Sequence, residues 1–372
     1  MKKTTRLLAA LCALMLLCAC AQADDLYATE TGYTSAPSDG EYSLLMWQSQ
    51  ESEGGLVISV DAACALMRGN KAVWERRYGG DGEDELCWAV PGDGVWTAAG
   101  SSASADLGNG WHEGYYDVYE PRADGWLMQL SAGDGEPRWS RCYGGSSWDG
   151  FAGVCAAPDG GFLLVGRTFS VDGDLTGLRV DETDERPDAW VVRVDAQGAI
   201  LWQRCFGGTG EDAFTDVRAV DGGYMVVGYT DSADGTAGET HGDRDGWAVL
   251  LSDAGEVLDG ILYGGTDEDS LETMTVCPDG KLLLAGFSWS KRPENTEEGA
   301  YRAGWALLVD AQGALIRQTY LERTGRDRIL SATAEKDGTC LLAGESQERM
   351  RDVSWVALLN PATGQWQEAS SK

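Results

Sequence analysis

This 372-residue sequence predicts an all-β fold, a β-propeller of six four-stranded blades, with five or seven blades as the alternatives. Three observations predict it. An Asp-Gly turn recurs at Asp39-Gly40, Asp93-Gly94, Asp159-Gly160, Asp221-Gly222, Asp279-Gly280 and Asp337-Gly338, at intervals of 54, 66, 62, 58 and 58 residues. A short apolar run follows each turn, and five of these runs close on Gly100, Gly166, Gly228, Gly286 and Gly344. After the first residues, no stretch carries the 3.6-residue period of an amphipathic helix.

Within each copy the elements come in a fixed order. The run after the Asp-Gly turn (Glu41–Met46, Val95–Ala99, Phe162–Val165, Tyr224–Val227, Leu282–Ala285, Cys340–Ala343) reads as a strand buried on both faces. A second strand spans Leu56–Asp61, Trp126–Ser131, Trp190–Asp195, Trp247–Ser252, Trp305–Asp310 and Trp355–Asn360. A tight turn such as Asp195-Ala196-Gln197-Gly198 follows it. A third strand then ends Trp-x-x-x-aromatic-Gly-Gly, as in Trp74 with Tyr78-Gly79-Gly80, Trp139 with Tyr143-Gly144-Gly145, and Trp202 with Phe206-Gly207-Gly208. The next copy keeps Tyr263-Gly264-Gly265 with Asp259 at the Trp position, and the one after has decayed to Arg317 and Leu321. A fourth strand, for example Phe214–Val220, leads to the next Asp-Gly. The copies occupy about 24–78, 79–143, 144–206, 207–263, 264–321 and 322–372, so one repeat-built domain is expected after residue 23. An open solenoid is the competing architecture, but it requires atypical polar caps, and these copies start and stop on ordinary ones.

Trp202-Gln-Arg-Cys-Phe206-Gly-Gly-Thr-Gly-Glu-Asp212, Asp221-Gly-Gly-Tyr-Met-Val-Val-Gly228 and Ala189-Trp190-Val-Val-Arg-Val-Asp195 resemble the bacterial SBBP-type β-propeller repeat. The resemblance covers about 24–366 and is strongest over 139–270. It implies a propeller in a secreted or surface protein and no shared catalytic residues. The family's name implies seven blades where six copies are present here.

The N-terminus reads as an export signal: Lys2, Lys3 and Arg6 precede the apolar stretch Leu7–Leu17, which is too short to stay in a bilayer as a helix. It has two candidate ends. Ala21-Gln22-Ala23 is an A-x-A cleavage pattern, which makes 1–23 the signal peptide. Leu17-Cys18-Ala19-Cys20 resembles a lipobox with Cys20 as the lipidated residue. Losing residues 1–23 leaves 26 basic against 60 acidic residues, a net charge of −34. Such a chain repels nucleic acid and anionic membranes and suits cations, basic proteins or neutral ligands. Seven cysteines follow Cys20 (Cys64, Cys87, Cys142, Cys155, Cys205, Cys277, Cys340), with no C-x-x-C pair. The odd, irregular set argues against a disulfide framework.

Connections in an antiparallel blade alternate between its two ends, so the short turns share one face and the long connections the other. The long ones are Ser101–Asp124, Phe169–Asp188, Asp231–Asp245 and Trp289–Ala303, where a binding site is expected. Three features there are candidates. An acid repeats at Asp84, Asp149, Asp212, Asp269 and Asp327, with Glu30 as the first member. Repetition favours a structural, turn-capping role over a carboxylate ring for a cation. Asp172 and Asp174 in Ser170-Val-Asp172-Gly-Asp174, echoed by Asp234, offer oxygen ligands for calcium or serve plain Asx turns. The loop holding Trp111, Tyr115, Tyr116 and Tyr119, with Trp148 and Trp289 on the same face, suits stacking on sugars or contact with a protein, unless its rings fold onto their own blade.

Catalysis has little to build on. The two histidines, His112 and His241, lie in variable loops, and His241 sits within the repeat pattern and reads as structural. No G-x-S-x-G elbow, zinc-spaced His pair or P-loop is present. The expected function is therefore a cell-surface or secreted binding or scaffold module for a glycan or protein, without a cofactor beyond calcium. A carboxylate-dependent carbohydrate-active or other hydrolytic enzyme is the alternative.

Overall fold

The computed structural model describes residues 33–34, 42–53, 56–69, 71–107, 110, 112, 122–177, 186–291, 301–321, 323, 326–348 and 351–369. They form six four-stranded antiparallel blades of the β-propeller class, and helix is confined to two 3-10 turns, Ala105–Leu107 and Gly173–Leu175. Every blade is a meander whose strands pair in chain order. The blades span 33–78, 84–143, 149–206, 212–263, 269–321 and 326–368. None of the described residues lies in a helix long and apolar enough to cross a membrane.

The chain divides into two compact units, Met1–Glu185 with Val191–Leu201, and Arg186–Trp190 with Trp202–Lys372. In the first, Leu44, Met46, Cys64, Leu86, Trp96, Trp126 and Leu130 pack into one apolar cluster drawn from blades 1 and 2. In the second, Met225, Val227, Leu271, Met274, Leu284 and Trp305 bring blades 4 and 5 together. Cys277, Leu283, Leu308, Ile329, Cys340 and Trp355 do the same for blades 5 and 6. Blade-on-blade packing explains why the inner strands read as continuous apolar runs and not as alternating ones: both faces are covered. The last strand of a blade is different. Lys71–Tyr78, Val257–Tyr263 and Leu315–Leu321 are exposed or half-buried along most of their length and bury only their final residue.

The glycine that closes each apolar run has a specific cause. The register between first and second strand slips by one residue at Leu86/Trp88, Phe214/Asp216, Leu271/Thr273 and Ile329/Ser331, a β-bulge repeated from copy to copy. Gly100, Gly228, Gly286 and Gly344 stand opposite these bulges. A Cβ on Gly228 would lie 1.9 Å from the carbonyl oxygen of Ala213, and one on Gly100 2.0 Å from that of Glu85. Close approach of one backbone to another excludes every other residue there.

The first blade departs from the predicted strand lengths. Its second and third strands are Tyr42–Glu53 and Leu56–Arg68, paired without interruption from Tyr42↔Arg68 to Glu53↔Leu56 apart from one register shift. No long connection separates them, so the ladder runs on past the predicted ends.

Successive copies are joined by side chains at the outer strand. Tyr78 donates its hydroxyl to the carbonyl of Gly135 at 2.7 Å, and Tyr143 to that of Gly198 at 2.7 Å, each reaching the tight turn of the following copy. Tyr263 bonds Gly313 in the same way. Trp74 and Trp202 donate to Ala132 (3.0 Å) and Asp253 (3.2 Å). In the decayed copy Arg317 takes over the donor role toward Ala362 at 3.0 Å.

Candidate functional site

The repeated aspartates are interior struts. Asp84, Asp149, Asp212, Asp269 and Asp327 are fully buried at the start of the first strand of blades 2 to 6. Asp149 accepts from Gly145 N (2.8 Å), Thr168 Oγ1 (2.5 Å) and Ser170 Oγ (2.7 Å). Asp84 accepts from Gly80 N, Ser102 Oγ and Ser104 Oγ. Asp212 and Asp269 use Gly208 with Ser232, and Gly265 with Ser290. Burial outweighs these donors and raises Asp149 and Asp212 to about 6 from the ordinary 3.8. This set ties the Gly-Gly link to the strand it feeds and to the loop beyond the next strand.

The Asp-x-Asp loop belongs to the same scaffold. Asp172 Oδ1 accepts from Ser146 N at 2.6 Å, and Asp234 Oδ1 from Thr209 N at 2.8 Å. Burial works against the charge of Asp172, but the Ser146 amide holds its carboxyl below the usual range. Asp174 Oδ2 accepts from Gly144 N at 3.3 Å. Asp172 and Asp174 lie in the first unit and Asp234 in the second. Among the described residues no group of three or more His, Cys, Asp or Glu side chains is placed to hold a metal ion.

Trp148 is half-buried against its own blade: the Arg167 guanidinium sits 4.9 Å from the centre of its ring, and Phe169 meets it edge-on at 6.1 Å. Trp289 lies under Arg302 and Arg326, at 5.8 and 5.2 Å. Trp111, Tyr115, Tyr116, Tyr119, Glu30 and Cys20 lie outside the described residues.

A second acid stands on the third strand, apart from the repeated acidic position. Asp124 and Asp245 open the third strands of blades 2 and 4 and are fully buried. Each receives a histidine. His112 donates its amide to Asp124 Oδ2 at 2.8 Å with its ring Nδ1 3.2 Å from the same oxygen, and His241 does so to Asp245 at 2.8 and 2.8 Å. The other carboxylate oxygen, Oδ1, has no hydrogen-bond partner among the described residues in either case. Burial raises Asp124, and the His112 amide and ring pull the other way. The same geometry recurring in two units marks the pair as part of the repeat.

In the first unit the histidine of this pair, His112, borders an open cleft of about 890 Å³. Its lining includes Gly110, His112, Trp139, Arg141, Tyr143, Asp174 and Gln197. The outer strand Pro137–Tyr143 supplies Trp139, Arg141 and Tyr143, and the tight turn of the next copy supplies Gln197. Tyr143 is locked by its bond to Gly198, and Arg141 Nε donates to Gln197 O at 2.9 Å, which fixes that wall. His112 Nε2 lies 3.9 Å from Asp174 Oδ2, so the ring stands between two carboxylates. The cleft thus combines an indole, a guanidinium, a carboxylate and an imidazole, a set that stacks on and hydrogen-bonds to a polar ring.

No protein-family model matches the chain. No curated protein matches it either. Solved structures resemble it at the level of the fold. An acylaminoacyl peptidase of Pyrococcus horikoshii is 8% identical, with 93% of this chain and 46% of that chain covered and a TM-score of 0.48. A quinohemoprotein alcohol dehydrogenase from Comamonas testosteroni is 10% identical (88% and 65% covered, TM-score 0.43). An ulvan lyase of a polysaccharide lyase family is 9% identical (90% and 81% covered, TM-score 0.44). The chain spans about half the length of the peptidase and about two thirds of the dehydrogenase. At these identities and scores the likenesses carry no argument about chemistry.

Proposed function

We propose that this protein is an exported, non-catalytic β-propeller that binds a glycan or a protein through its long connections, with the His112 cleft as the contact. The observation that supports this reading is the cleft itself, where Trp139 and Arg141 stand beside His112 and Asp174. Its wall is pre-formed by the Tyr143 and Arg141 bonds, so little ordering entropy opposes binding. The aromatic segment 111–119 is contiguous in sequence with Gly110 and His112, both on the lining. Export rests on the N-terminal signal, with a lipid anchor on Cys20 or cleavage after Ala23 as its two outcomes.

The hydrolytic alternative draws on the His112–Asp124 pair, which resembles a general base with its orienting acid. Against it stands the identical His241–Asp245 pair, which the repeat accounts for.

The test is an immobilised glycan series probed with the full chain and with Trp139→Ala and Arg141→Ala. Binding that falls at least tenfold in both variants, with the glycan recovered intact, supports the proposal. Absence of retention on glycans and on envelope proteins sinks it, and release of shortened glycan by the wild type moves the protein to the hydrolytic class. Membrane fractionation of Cys20→Ala decides the anchor: the lipidated route requires the variant to leave the membrane.

A further inference from the structure

Two cysteines from successive blades meet in the second unit. Cys277 follows the first strand of blade 5, and Cys340 opens the second strand of blade 6. The Cys277 amide donates to Lys281 O at 2.7 Å, which fixes the tight turn. Thr275 Oγ1 accepts from Ala334 N at 3.2 Å, and Ala334 stands directly opposite Cys340 in the ladder. With both backbones pinned, the two side chains pack into the same apolar cluster, where each thiol shifts the titration of the other, Cys277 down and Cys340 up. They are 6% and 0% exposed within one apolar cluster. In other copies the position of Cys340 is held by Phe162 and Leu282, so a thiol there is not a requirement of the repeat.

We infer that Cys277 and Cys340 form a disulfide that staples blade 5 to blade 6 when the chain folds in the presence of a disulfide oxidant. The inference leans on the proposed export only for where the chain meets such an oxidant. One thiolate attacks the oxidant's S–S bond, expelling one of its sulfurs as a thiolate and leaving a mixed disulfide. The second protein thiolate displaces the other sulfur. One S–S bond breaks in the oxidant and one forms in the protein. Two electrons pass to the oxidant, and the two thiol protons end on its two sulfurs. Both side chains are sealed once blade 6 has packed, so the exchange precedes packing and the finished bond is shielded from reductants.

The full chain is unfolded, reduced, and refolded with oxidised glutathione or with excess dithiothreitol, then alkylated under denaturing conditions. With oxidised glutathione, five of the seven cysteines from Cys64 onward take the reagent, and trypsin releases peptides 245–281 and 337–349 joined and separable by reductant. The oxidised chain melts roughly 3–8 °C above the reduced one. Cys340→Val, an apolar residue like those of the other copies, abolishes both the cross-link and the redox dependence. Seven alkylated cysteines in the oxidatively refolded chain, or a cross-link between other cysteines, overturns the inference. The peptide map of the wild type decides it even where the variant does not fold. Because the oxidant is added directly, a negative result counts against the cysteine pair and leaves the export reading untouched.

Discussion

Ser170 donates its hydroxyl to Asp149 Oδ2 at 2.7 Å across 21 residues of chain. The bond joins the first residue of one strand to the loop beyond its partner, and Ser104–Asp84, Ser232–Asp212 and Ser290–Asp269 repeat it. The acid of blades 2 to 6 is therefore a buried acceptor, at the junction where the chain enters a blade and the long connection leaves it.

A pH dependence follows from that burial. Asp149 and Asp212 stand at about 6 in the folded chain against 3.8 for the free side chain. Between these values the folded form binds more protons than the unfolded one. Their contribution is full below about pH 4 and is lost as pH rises through about 6. The thermal midpoint is expected to be higher at pH 5 than at pH 7, with about 1–3 kcal/mol per residue at stake. Asp149→Asn, which mimics the protonated acid, flattens part of that slope. Equal slopes for variant and wild type in a melting series would remove the effect from Asp149.

Two glycines in blade 4 separate backbone clash from conformational strain. Gly228→Ala places a methyl 1.9 Å from Ala213 O and is expected to cost more than about 2 kcal/mol or to prevent folding. Gly222→Ala meets nothing within 4 Å and bears only the strain of φ +89°, about 1 kcal/mol. Urea titrations of both variants rank them, and the reverse order would contradict the bulge.

Tyr143→Phe and Tyr263→Phe each remove one hydroxyl bonded to the next copy's turn, at Gly198 and Gly313. Each is expected to cost about 1 kcal/mol, more if the carbonyl is left without water. Phe206 already occupies the equivalent position, so folding itself survives. A denaturant midpoint that does not move in either variant would show these bonds to be idle.

Calcium is expected to change little. Asp172 and Asp234 each commit one oxygen to a backbone amide of the Gly-Gly link. The melting temperature should be the same in calcium and in chelator. A rise of several degrees with calcium that Asp174→Asn abolishes would assign the loop to the metal instead.

The repeat was legible because turn chemistry is local: Asp-Gly and Gly-Gly announce themselves without tertiary context. The glycine closing each run was legible as a mark but not in its cause, since a bulge depends on the partner strand. The acidic position was legible, and its Ser and Thr donors, one strand away, were not assigned to it. His112 and His241 concealed their equivalence because one precedes its aspartate by 12 residues and the other by 4. Trp139 and Arg141 sit in a strand that reads as scaffold, and only the fold sets them beside His112 and Asp174. Trp111, Tyr115, Tyr116 and Tyr119 of the aromatic loop lie outside the described residues.

The tyrosine that ends a copy finds its acceptor only in the copy that follows, as Tyr78 does at Gly135 and Tyr143 at Gly198. The copies that end in Tyr78, Tyr143 and Tyr263 thus carry a donor at the tail, and the copies after them its acceptor, like links cast with a hook and an eye. A duplicated copy inserted at a Gly-Gly junction would mate with both neighbours at once, without any compensating substitution. A duplication that respects the copy boundary keeps this joint complementary, while trimming half a copy would strand a hook or an eye.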